Sequence, residues 1–165
     1  MFGLTFHPYN KGILMYTITG RIIIITIGFL GMVGCAGERP NNLGSKGGLL
    51  LACPSSPNCV SSQASDEGHR VAPLVFGGDP DIAFARLKLV LSRRSDSTVV
   101  DESAGYLRVE LRTTLFVDDA EFLQDLSRSV IHVRSASRLG YSDLGKNRSR
   151  VEEIRKQFIT AEGRP

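Results

Sequence analysis

Leu107, Val109 and Leu111 alternate with Arg108, Glu110 and Arg112, the period-two pattern of a strand with one face buried. Two later runs repeat it. In Asp118 to Gln124, Ala120 and Phe122 share one face, and Asp119 and Glu121 share the other. In Val130 to Arg138, Ile131 and Val133 oppose His132, Arg134 and Arg138. Three such runs in succession predict an antiparallel sheet with an aliphatic face and a charged one.

The flanking segments supply helices for the aliphatic face. Asp79-Pro80 reads as a helix start, with Asp79 as N-cap and Pro80 in the first turn. Ile82, Ala85 and Leu89, with Phe84, Leu87 and Leu91, give a wide apolar stripe, and Arg93-Arg94 suit the C-terminal end of the dipole. Val151, Ile154 and Phe158 mark a final helix at i, i+3 and i+7. Further strands are expected at Val71 to Phe76, where Pro73 demands an edge or a strand start, and at Thr98 to Val100, while the first alternating run is expected to extend over Tyr106 to Val117. The order β-α-β-β-β-β-α predicts an α+β domain: a small antiparallel sheet of about four to five strands, with two helices packed on one face.

The N-terminal part is of another kind. Ile22 to Gly34 contains no charged residue, follows Arg21, and ends in small residues before Cys35. At 13 residues it falls short of the roughly 20 that span a bilayer as a helix, and its order is that of a signal peptide. Met32-Val33-Gly34-Cys35 resembles the lipobox of bacterial lipoproteins, with methionine in the usual leucine position. The expected arrangement is therefore a signal peptide over 1–34, with Met15 as the expected start. A lipidated Cys35 and a flexible tether follow over 35–50, then a single domain over 51–160. An uncleaved anchor from Gly12 to Gly34 would bury Arg21, at a cost of about 2.5–3.5 kcal/mol near a helix centre. The expected location is the cell envelope, lipid-anchored and facing the periplasm or exterior. Ala36 after the cysteine favours the outer membrane if the host has two.

Lys11 and Arg21 are the only charged residues of 1–34. Of 20 basic and 17 acidic residues, 18 and 17 therefore remain from Cys35 onward. That balance gives no sign of the basic face that nucleic acid requires. With Cys35 lipidated, Cys53 and Cys59 remain in CPSSPNC, read either as a structural disulfide or as free, reactive thiols. The CxxC redox spacing is absent.

CPSSPNCVSS, HRVAP, VDDAEF and IHVRSASRLGYSDLGKNRSRVEEIR resemble the bacterial lipoprotein family known as domain of unknown function 1499, from about Cys53 to Phe158. That family tends to have one or two more residues before VDD and a valine where Ala120 stands, so the strand register around Phe116 to Phe122 is left open. The resemblance implies an envelope protein with no established reaction.

Candidate chemistry gathers at the C-terminal end. Arg134, Arg138, Tyr141, Asp143, Asn147, Arg148 and Arg150 crowd a strand end, a turn and a helix start. Asp143 or Asn147 can cap the helix, and the arginines can pair with Asp119 and Glu121. The same cluster could instead hold a carboxylate or phosphate. Arg134, in mid-strand, is expected to be structural, and Arg138, beside the Gly140-Tyr141 turn, to serve a ligand. The expected partners are a membrane, through the lipid, and a small anionic or amphiphilic ligand or an envelope protein. The alternative is a small hydrolase or thiol enzyme using Cys59 or Ser61 with His69 or His132. No GxSxG, HExxH, phosphate-loop or dinucleotide pattern occurs, and no cofactor or metal is expected.

Overall fold

A computed structural model describes residues 36–162. The three alternating runs form the centre of a six-stranded antiparallel sheet, ordered β3-β8-β7-β6-β5, with β4 also pairing to β8. The strands are β1 (Ser45–Lys46), β2 (Leu49–Leu50), β3 (Cys59–Ser61), β4 (Leu74–Val75), β5 (Ser97–Ser103), β6 (Tyr106–Arg112), β7 (Val117–Asp125) and β8 (Val130–Ser137). Helix α1 spans Pro80–Ser92 and α2 spans Lys146–Glu162. The α+β class is as expected, with more strands than anticipated.

Register follows side-chain alternation. Leu107 faces Phe122 and Val109 faces Ala120 across β6 and β7, while Phe122 faces Val133 across β7 and β8. Together with Leu111 and Ile131 these residues are fully buried under both helices. Helix α1 starts as its sequence demands, since Asp79 Oδ1 accepts from the N–H groups of Asp81 and Ile82. Its buried stripe is Ala83, Phe84, Leu87, Val90 and Leu91. Ile82, Ala85 and Leu89, expected to join it, lie exposed, because a helix resting on one sheet cannot bury so wide an arc. Helix α2 buries Val151, Ile154 and Phe158, as its spacing predicts.

Three boundaries differ from expectation. The run expected from Tyr106 to Val117 breaks after Arg112. There Thr113 N–H donates to the Phe116 carbonyl, and Phe116 N–H donates to Thr113 Oγ1. The chain thereby reverses, and Val117 opens the next strand. The edge strand at Val71 to Phe76 shrinks to two residues beyond Pro73, which cannot donate to a ladder. Cys59–Ser61 is a strand against β8 where only a cross-linked loop was expected.

Residues of the segment read as a tether take part in the fold. Gly47 and Gly48, both at positive φ, turn the β1–β2 hairpin. Leu50 packs with Tyr106 and Leu123 on the charged side of the sheet. Arg39 reaches Glu110, the Pro40 carbonyl accepts from Arg108, and Gly44 N–H donates to Glu121. These contacts cover a sheet face that the alternation alone would leave to solvent.

Candidate functional site

On the face opposite the helices, Arg108, Glu110, Asp119, Glu121, His132 and Arg134 are all buried. Antiparallel pairing sets Arg134 opposite Glu121 and Glu121 opposite Arg108, an alternation of sign that stabilises. It also sets Glu110 directly opposite Asp119, two carboxylates that repel in a site almost without water. Arg138 resolves this conflict. Its Nε donates to Asp119 Oδ2 at 2.7 Å, and its Nη2 donates to Glu110 Oε1 at 2.6 Å and Asp119 Oδ1 at 3.0 Å.

Burial pushes the Glu110 carboxyl up, but hydrogen bonds from Arg138, Arg39 and Arg112 outweigh this and hold its pKa down at about 2. The Asp119 hydrogen bond raises the pKa of Arg138, with Glu110 adding to it against desolvation. Burial, the Glu121 charge and the Tyr106–Glu121 hydrogen bond all push the Tyr106 phenol up.

Arg134 is partnered differently. Its side chain is 6% exposed, and Nη1 meets Glu121 Oε2 at 3.3 Å. Its Nε is buried and has no hydrogen-bond partner among the described residues. Burial lowers its pKa, and the Glu121 charge only partly offsets this. Arg134 borders a cavity of 460 Å³ whose wall includes Leu43, Leu51, Ala52, Pro54 and Ala136. This open cleft combines an apolar wall with the charged side chains of Arg134, Arg138 and Asp119. Arg138, expected to serve a ligand, lines the same cavity and is held by two carboxylates, whereas Arg134, expected to be structural, has one carboxylate contact.

The other candidates do not converge on this cavity. Tyr141 is exposed. Asp143 accepts from the N–H groups of Gly145 and Asn147 at the start of α2. Asn147 is fully buried, and its Nδ2 donates to the Asn58 carbonyl, Ser137 Oγ and Asp143 Oδ2. Arg148 donates to the carbonyls of Gly68 and Arg70. Arg150 pairs with Asp118 and Asp96. These residues fasten α2 to the sheet and to the loop before β4.

The nucleophile combinations named from the sequence are not assembled. Cys59 is disulfide-bonded to Cys53. Ser61 Oγ accepts from Gln63 N–H. His69 lies between the Ser56 carbonyl and Asp66, which raise its pKa and favour the charged ring. The hydroxyl that reaches His132 is Ser62, one residue on, at 3.1 Å from Nδ1. Ser62 Oγ also accepts from Val133 N–H, and His132 Nε2 stands 3.5 Å from Asp125, beyond a good hydrogen bond. Ser62 closes the end of β3 against β8, and neither its position nor its role has a sequence signal that separates it from Ser61.

The disulfide closes a short loop at the cavity rim, since Cys53 is among the lining residues. Cys59→Ser should lower unfolding free energy by about 2 kcal/mol on the loop-entropy estimate. Urea titration of the non-reduced protein and its variant checks this, and unchanged stability would contradict it.

A comparison with curated proteins returns no match. The family model described as "Protein of unknown function (DUF1499)" matches residues 49–158, which include the core of the sheet, both helices to Phe158, and the cavity residues from Leu51 to Arg138. The chain belongs to the DUF1499 family.

Proposed function

We propose that this protein is an envelope lipoprotein, held to a membrane through Cys35, whose domain binds a small anionic, amphiphilic ligand. The carrying observation is Arg134: a buried guanidinium held by one carboxylate contact, which lines a 460 Å³ cavity with an apolar wall. A carboxylate or phosphate there would pair with the guanidinium and offset a charge that burial disfavours. The aliphatic residues around it suit a short hydrocarbon portion. Cys35 lies outside the described residues, and its lipidation rests on the lipobox resemblance and the uncharged run before it.

Binding is tested on the full chain with octanoate and with inorganic phosphate. Either probe should raise the melting temperature of the parent and not that of Arg134→Met. Equal shifts in both proteins, or none in either, count against the reading. Fatty-acid analogue labelling tests the anchor separately: label should appear on the parent and be lost from Cys35→Ser.

A further inference from the structure

Hydrophobic side chains are left exposed at one end of the sheet, where the chain enters the domain. Leu115 and Phe116 stand out from the β6–β7 turn. The Val117 carbonyl, next in sequence, accepts from Arg138 N–H, which places the segment after β8 beside that turn. From this segment Leu139 and Tyr141 are exposed, and Leu144 is 96% exposed. Leu144 also has a φ of +53°, a conformation that leucine rarely adopts. Arg39 and Arg112, each with half of its side chain exposed, lie at the same end, because both hold Glu110.

The entry point completes the arrangement. Gly37 lies against Arg138 and Leu139 so closely that a Cβ on it would come within 2.8 Å of Arg138 Cβ and 3.1 Å of Leu139 Cγ. One residue, Ala36, lies between Cys35 and Gly37, so the two are at most about 7 Å apart. A lipid on Cys35 is therefore tethered within a short chain length of Leu139.

We infer that this end of the domain rests on the membrane: Leu115, Phe116, Leu139, Tyr141 and Leu144 enter the headgroup boundary, and Arg39 and Arg112 face anionic headgroups. This inference rests on the lipoprotein reading. Apolar and aromatic side chains accompanied by two half-exposed arginines match the chemistry of an interface, where amphipathic groups sit between hydrocarbon and water.

The chain contains no tryptophan, so a single introduced one reports its own surroundings. Tyr141→Trp places it at the proposed contact. Ile82→Trp places it on an exposed position of α1, near Pro80, whose carbonyl accepts from Gln124. Gln124 is seven residues along β7 from Val117, roughly 23 Å away at the rise of a strand. Both full-length variants are reconstituted in vesicles of phosphatidylethanolamine and phosphatidylglycerol, with and without brominated acyl chains. The expected result is a blue shift and loss of emission for Tyr141→Trp and neither for Ile82→Trp. Sedimentation is measured on the same samples. Protein that sediments with vesicles but shows equal quenching at both positions overturns the inference and leaves the anchor reading standing. Protein that fails to sediment overturns both.

Discussion

Arg138→Ala is expected to lower the unfolding free energy by about 3–5 kcal/mol, the scale for removing one partner of a buried ionic group. The loss arises because Glu110 and Asp119 face each other across two strands and share Arg138 between them. Arg39 and Arg112 still reach Glu110, and Arg108 still reaches Asp119, but none bridges the two. Adding Asp119→Asn to Arg138→Ala should recover part of the loss, since one of the opposed charges is then gone. Urea unfolding of the single and double variants checks both statements. A loss under about 1 kcal/mol for Arg138→Ala would show that the residue acts as an exposed ion pair.

Acid should weaken the same network in a defined range. Glu110 has a folded pKa of about 2 against an ordinary value of 4.5. Its folded value is depressed, so its contribution is fully present above the ordinary value and is lost as pH falls from 4.5 to about 2. The difference corresponds to about 3 kcal/mol of stability at neutral pH. Glu110→Gln removes the titrating group, so its stability should decline less steeply over that interval than the parent's. Chemical denaturation at a series of pH values compares the two slopes. Parallel slopes would mean that Glu110 is no more strongly held in the folded chain than in the unfolded one.

Alternation in the sequence carried the sheet, because Leu107, Val109 and Leu111 are apolar at every second position and their partners on β7 and β8 follow suit. It also placed Arg108, Glu110, Asp119, Glu121 and Arg134 together on one face. What it could not convey is that this face is covered. Residues 39–50 are rich in glycine and asparagine, a composition that reads as a linker. Their contacts are made largely by backbone groups, which every residue type possesses: the Pro40 carbonyl and the Gly44 N–H. Only Leu50 announces burial by its side chain. The same limit explains β3, whose three residues are too few to show a period.

The two arginines show a further limit. Position along a strand says which face a side chain occupies, but partnering depends on what stands opposite. Arg138 looked free because it follows the strand and precedes a turn. The register sets Glu110 opposite Asp119, and a long side chain from the next position is what can reach both. Arg134 looked committed because it lies mid-strand opposite Glu121. Glu121, however, also accepts from Tyr106 and Gly44, which leaves Arg134 with one carboxylate contact. A cavity beside such a guanidinium is a property of packing, and no spacing of residues records it.

Native mass spectrometry of the full-length protein, purified from membranes in mild detergent, bears most directly on the claim that the Arg134 cavity holds an anionic ligand. The account predicts an adduct on the folded parent, released on denaturation and identified as a carboxylate or phosphate compound, and its loss from Arg134→Met. An adduct of equal occupancy on Arg134→Met, or a parent whose folded mass equals that of the processed, lipidated chain alone, would contradict it.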